Sequence, residues 1–147
     1  MANYAENRKA RFDYEVLDKY EAGIELTGHE VKSVRSGGMS LLGAFVIVRG
    51  GEAYLINANI TPFQPKNAPE DYDPLRNRRL LLTKKEIAEL GGTEKNKSLT
   101  IVPLAVYSKG RKIKLELAVV RGKKKFDKRE TIKRRDTERD IRRRMKE

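Results

Sequence analysis

Residues 99–120, LTIVPLAVYSKGRKIKLELAVV, decide the fold class. Leu99 to Tyr107 is a nearly continuous apolar run. From Ile113 to Val120 the pattern alternates, with Ile113, Leu115, Leu117 and Val119 on one face and Lys112, Lys114 and Glu116 on the other. Period two is the mark of a strand with one buried face. Lys109 and Gly110 stand between the two runs, so the stretch reads as an antiparallel hairpin.

Upstream the same texture recurs in shorter pieces. Phe45 to Val48 and Ala53 to Ile56 flank Arg49-Gly50-Gly51-Glu52, where the glycines accept the positive φ of a tight turn, so a second hairpin is expected. Phe12, Tyr14 and Val16 alternate with Asp13, Glu15 and Leu17, which predicts a strand from Phe12, and a further short strand is expected over Ala22 to Leu26. Thr27-Gly28-His29-Glu30 has capping-box spacing and predicts a helix over residues 30–36, stopped by Gly37 and Gly38. Thr83 and Glu86 repeat that spacing, ahead of a helix carrying Ile87 and Leu90 and ending at Gly91 and Gly92. Between Thr61 and Arg79 four prolines crowd together, which predicts a loop because proline donates no ladder hydrogen bond. Six short strands, two helices and no βαβ rhythm define a mainly β chain with short helices. The expected architecture is a small antiparallel β-barrel of the oligonucleotide-binding type, closed or nearly closed, with a basic C-terminal tail.

The boundary falls at residue 120, giving a body of 1–120 and a tail of 121–147. The chain has 33 Lys and Arg against 21 Asp and Glu, and the tail alone holds 14 against 6. The cations are therefore concentrated at one end. With only Phe126, Ile132, Ile141 and Met145 to bury, the tail is expected to be disordered in isolation. Acid-before-base pairs four apart, Glu130 with Arg134, Glu138 with Arg142 and Asp140 with Arg144, give it latent helicity. At helical repeat Lys128, Arg135, Arg139, Arg142 and Lys146 form one basic stripe. A phosphate backbone laid along that stripe would supply the missing counter-charge.

A net charge of +12 points to a polyanionic partner. Membrane lipid fits poorly, because the tail has no apolar face. No run approaches a membrane span and the first residues fit neither a signal nor a transit peptide, so a cytoplasmic protein is expected. The chain has no cysteine and one histidine, His29, which reads as a surface residue. Neither a catalytic triad nor a zinc site can be assembled from that inventory, and no cofactor, no metal site and no enzymatic activity are expected. Glu70, Asp71 and Asp73 could be imagined holding magnesium for a nuclease, but a solvated loop reads better. Binding residues are easier to nominate: Asn7, Arg8, Lys9 and Arg11 ahead of the first strand, Lys32 and Arg35 on one helix face, and Lys123, Lys124 and Lys125 beside Phe126. Glu21 and Glu30 repel phosphate, yet each could orient a neighbouring Arg or accept a hydrogen bond from a base or a 2′-hydroxyl.

Several stretches together resemble the SsrA-binding protein (SmpB) family. They are Asn7-Arg8 with Ala10 and Tyr14, Glu21-Ala22-Gly23-Ile24, residues 28–35 with Gly37, and Asp73-Pro74 with Arg76, Arg78 and Leu80-Leu81-Leu82. Val102-Pro103-Leu104 with Tyr107, and Arg121-Gly122-Lys123-Lys124 followed by Asp127-Lys128-Arg129, complete the pattern. The resemblance implies an adaptor, expected as a monomer, that binds transfer-messenger RNA and takes it to stalled ribosomes for trans-translation. Alanyl-tRNA synthetase and elongation factor Tu would be indirect partners. Asn7, Arg8, Tyr14, Glu21, Lys32, Arg35, Lys123 and Lys124 would grip the tRNA-like domain. Phe126, Asp127, Lys128 and Arg129 would meet the decoding centre, with Arg135, Arg139, Arg142 and Met145 further along the empty mRNA channel, where the tail becomes helical. Phe126 stands where relatives carry His, Tyr or Trp, and Arg144 where some carry an apolar residue. Composition alone would equally suit a ribosomal protein or initiation factor with a basic extension.

Overall fold

The computed structural model describes residues 3–64, 66 and 70–122. In order, the chain forms β1 (Asn3–Glu6), α1 (Arg8–Asp13), β2 (Tyr14–Ile24), α2 (Gly28–Arg35), β3 (Met39–Ser40) and β4 (Phe45–Arg49). It continues with β5 (Glu52–Ile56), β6 (Asn59–Ile60), β7 (Arg78–Leu81), α3 (Lys84–Glu94), β8 (Leu99–Lys109) and β9 (Lys112–Gly122).

Seven strands form one antiparallel sheet in the order β1-β8-β9-β2-β7-β5-β4, and β3 pairs with β6. The expected terminal hairpin is the backbone of the sheet, with β8 and β9 paired from Leu99↔Arg121 to Lys109↔Lys112 and one register shift between Pro103 and Ala105. Gly50 and Gly51 both take positive φ, 58° and 75°, in the β4–β5 turn, as that hairpin requires. The sheet curls until β4 lies against β8, yet no ladder joins them among the described residues, so the barrel is nearly closed and not sealed.

Leu55, Leu80, Ile101, Leu115 and Leu117 fill the main core, with Leu90 of α3 and Val34 of α2 closing its ends. A second, smaller cluster lies under α1, where Ala10 packs on Val102, Leu104, Ala118 and Val120.

Both capping boxes form: the Thr27 hydroxyl accepts from Glu30 N at 3.2 Å and the Thr83 hydroxyl from Glu86 N at 3.2 Å. Four local expectations are corrected. Phe12 belongs to α1 and not to a strand, because the Asn7 side chain caps residues 8–13 as a helix. The two expected strands at Phe12 and Ala22 are one, β2. A bulge between Val16 and Asp18 leaves Leu17 unpaired, which shifts the alternation by one residue and disguises the continuity. α3 runs through Gly91 and Gly92 to Glu94, whose carboxylate accepts from Val48 N (2.9 Å) and Arg49 (3.2 Å). These bonds offset the roughly 1 kcal/mol that each interior glycine costs. Finally, the described residues contain nine strands and three helices, not about six and two, since β1, β3 and β6 are too short to show a period and β7 opens inside the stretch read as loop.

Candidate nucleic-acid interface

Asn7 is buried and sits where three chain segments meet. Its Oδ1 accepts from Ala10 N (3.1 Å), its Nδ2 donates to Pro103 O (3.0 Å), and its own N–H donates to Leu104 O (2.8 Å). Of the expected binding residues it is thus the one that holds α1 on β8. The cations it positions point outward. Arg8 is 91% exposed and 3.6 Å from Glu6, and Arg11 lies 3.7 Å from Glu116. Tyr14 opens β2 directly across the ladder from Gly122. A cleft of about 310 Å³ runs between α1, β4 and β8, with Lys9, Asp13, Tyr14, Phe45 and Thr100 on its walls. Lys123 and Lys124 follow Gly122 in sequence and lie outside the described residues. So do Phe126, Asp127, Lys128, Arg129, Arg135, Arg139, Arg142 and Met145. β9 runs to Gly122.

Lys32 and Arg35 are exposed on α2 at the other end of the molecule. Arg35 donates to Arg111 O in the β8–β9 turn at 2.8 Å, and from that turn to Gly122 β9 spans about 30 Å at strand rise. The structure therefore divides the expected grip into two basic ends, with Asn7, Arg8 and Tyr14 at one and Lys32 and Arg35 at the other. Glu21 lies between them on the outer face of β2. Its carboxylate accepts from Tyr107 OH (2.5 Å) and Lys109 Nζ (3.1 Å), and these hydrogen bonds hold it below the usual carboxylate range. Burial and the same carboxylate push the Tyr107 phenol up. Of the roles open to Glu21, the one seen is to orient a Lys and a Tyr.

Glu30 is wholly internal. Besides closing its capping box it accepts from Arg78 Nε (2.9 Å) and Nη2 (2.6 Å), from Arg76 Nε (3.1 Å) and Nη2, and from Tyr72 OH (3.3 Å). Burial alone would raise its pKa, but the hydrogen bonds from Arg76, Thr27 N–H and Arg78 outweigh it and hold the group at about 2. This network ties α2 to the proline-rich excursion. His29 belongs to the same junction and is half-buried, not a surface residue: its Nε2 accepts from Phe63 N at 3.0 Å and its ring meets Tyr72 edge to face at 5.0 Å. Asp73 caps a turn through Leu75 N (2.9 Å), and no group of three or more His, Asp or Glu suited to a metal occurs among the described residues. No helix of the described residues is long and apolar enough to cross a membrane. Tyr107, Lys109, Arg111 and the Arg76–Arg78 pair were not singled out from the sequence as site or network residues. Arg76, Arg78 and Tyr107 entered only as residues that carry the family resemblance, and the hint for Lys109 and Arg111 was the density of Lys and Arg around Gly110.

A curled antiparallel sheet of the oligonucleotide-binding type, with exposed cations at both ends of its longest hairpin, defines a nucleic-acid-binding module. The sequence model described as "SmpB protein" matches residues 4–147, and the chain belongs to that family. It is 50% identical over 141 residues to the SsrA-binding protein of Gloeothece citriformis, covering 96% of this chain and 91% of that one. It is 53% identical over 137 residues to the SsrA-binding protein of a Sulfurihydrogenibium species, covering 93% and 90%. A solved chain described as "tmRNA-SmpB: a journey to the center of the bacterial ribosome" superposes with a TM-score of 0.68 at 47% identity, covering 82% of this chain and 84% of that one.

Proposed function

We propose that this chain is an RNA-binding adaptor of trans-translation that holds the tRNA-like domain of transfer-messenger RNA with its body and carries it to stalled ribosomes. The observation that carries the reading is the full-length identity of about half to SsrA-binding proteins, joined to the likeness to a solved tmRNA-SmpB chain. Arg8, Lys9 and Tyr14 form the body's grip at the α1 end, where Lys123 and Lys124 follow. Glu21 presents Lys109 and Tyr107 beside it. Lys32 and Arg35 join the grip only if the RNA runs the length of β9.

Residues from Phe126 to Met145, including Asp127, Lys128, Arg129, Arg135, Arg139 and Arg142, enter the decoding centre and the vacant mRNA channel, where RNA on all sides offsets their charge. Position thereby replaces codon pairing as the signal. The protein acts in the cytoplasm and without catalysis of its own, and alanyl-tRNA synthetase and elongation factor Tu meet the RNA it holds.

Truncation after Gly122 tests the division of labour. The expected result is unchanged affinity for the tRNA-like domain by gel shift and loss of tagging on stalled ribosomes in a reconstituted translation system. Equal loss of both refutes it, and equal affinity for bulk tRNA would restore the ribosomal-protein reading.

A further inference from the structure

α3 packs on β4 and β8, and Leu99, just past its end, pairs with Arg121 beside the point where the tail departs. At helical repeat Ile87, Leu90 and Glu94 share the side turned to the barrel, while Lys84, Lys85, Ala88, Gly92 and Lys95 share the other, exposed side. The carboxylates of α3 are engaged within the chain. Glu86 closes the capping box, Glu89 accepts from Tyr20 OH (3.1 Å), and Glu94 accepts from Val48 N (2.9 Å) and Arg49 (3.2 Å). Lys84, Lys85, Lys95 and Lys97 are exposed, and among the described residues their side chains make no ion pair or hydrogen bond. Gly92 is the member of this face that the fold does not explain. Its φ is not positive, and a Cβ there would meet nothing within 4 Å. An interior glycine weakens a helix, so folding alone favours alanine at this position.

We propose that this face of α3 seats on the phosphate backbone of an RNA helix of the small ribosomal subunit, with the lysines at both ends of α3 neutralising phosphates around Gly92. Lys84 and Lys95 stand about 16 Å apart along the helix axis, so the cations bracket the small residues between them. Cations with no large apolar side chain exposed on α3 suit phosphate, whereas a protein partner would need apolar or aromatic anchors. No aromatic ring stands on the face, so unpaired bases find nothing to stack on and a duplex met through its backbone is the form that fits. Ala88 and Gly92 give that backbone room for close approach. Lys97 adjoins the Leu99↔Arg121 pair, which brings RNA lining the channel that receives the tail within reach of α3. The ribosomal source of the duplex rests on the adaptor reading; the phosphate contact does not.

The test uses the full chain and its Gly92→Ala and K84A/K95A variants, with isolated small ribosomal subunits and with the tRNA-like RNA. Gly92→Ala should raise the melting midpoint by about 2–4 °C and yet weaken binding to small subunits about tenfold, leaving affinity for the tRNA-like RNA unchanged. K84A/K95A should weaken the same binding and flatten its slope of log K against log salt by about two. In spectra of the ¹⁵N-labelled full chain, a short RNA duplex should give saturable shifts at Lys85, Ala88, Gly92 and Lys95, larger than those from octauridylate or oligo-aspartate. Parental subunit affinity in Gly92→Ala, or an unchanged salt slope in the double variant, overturns the proposal. Larger shifts with octauridylate would make the face a single-strand site, and larger shifts with oligo-aspartate a protein-docking site; either overturns it. Equal loss of affinity for the tRNA-like RNA assigns α3 to the grip on that RNA and overturns it too. Failure of the parent chain to bind the tRNA-like RNA would instead defeat the adaptor reading, while duplex-induced shifts along α3 would still support the phosphate contact.

Discussion

Glu30 and Arg78 lie 48 residues apart in sequence and are both fully buried, joined by hydrogen bonds of 2.9 and 2.6 Å. Arg78 spends its remaining donors on Ala58 O (2.7 Å) and Pro74 O (3.0 Å), so the guanidinium welds α2, β7 and the proline-rich excursion into one body. Two charges are taken out of water here, and only full satisfaction of both makes that tolerable. Replacing Glu30 by Ala leaves Arg78 uncompensated and opens the capping box, and should cost about 3–5 kcal/mol. Urea denaturation followed by far-ultraviolet circular dichroism measures it. A loss below about 1 kcal/mol would show that the pair contributes no specificity to the fold.

The same carboxylate sets the acid limit of the fold. Its folded pKa of about 2 lies below that of a free glutamate, so folding favours the ionised form. The stabilisation, about 3 kcal/mol, is fully present above about pH 4.3 and is lost as pH falls towards 2. Stability measured against pH should fall through that window in the native chain and remain flat there in Glu30→Gln, apart from the shallower slope from surface carboxylates.

Gly38 is fixed by contact and not by φ. Its N–H donates to Ser33 O (2.8 Å) and its O accepts from Thr61 N (2.9 Å), which closes α2 onto β6. A Cβ at this position would meet Thr61 Oγ1 at 2.8 Å and the Ser33 backbone O at 3.0 Å, and it would also clash with Ser33 Oγ. Gly38→Ala should destabilise by about 1–3 kcal/mol. Gly28→Ala, with nothing within 4 Å, is the control that should leave the melting midpoint near that of the parent.

The elements legible in the sequence were those whose cause is local. The Thr27/Glu30 and Thr83/Glu86 boxes act across three residues, and the Gly50-Gly51 turn within two. α1 was not legible, because its cap also bonds Pro103 O, 96 residues away, and its buried face is little more than Ala10. β2 was split by a bulge whose register is set by β9. Among the site residues, Glu30 was placed in its cap but not in its ion cluster, since nothing near it in sequence announces Arg76 or Arg78. That Arg8 and Arg35 occupy opposite ends of one hairpin follows from strand order alone.

Asn7 and Arg8 adjoin in sequence and should fail in different ways. Removing the Asn7 side chain with Ala deletes the α1 cap and leaves Pro103 O without its donor, at a cost of about 1–2 kcal/mol. α1 then swings with its cations, so RNA affinity should fall with temperature as the helix loosens. Arg8→Ala removes a side chain that touches little besides Glu6. Its melting midpoint should stay at the parent value, while its affinity for the tRNA-like RNA drops and the slope of log K against log salt flattens by about one. Measuring both quantities on both variants separates a residue that positions from one that touches phosphate. If Asn7→Ala melts like the parent yet loses the same salt slope as Arg8→Ala, Asn7 contacts the RNA directly and its buried bonds are incidental.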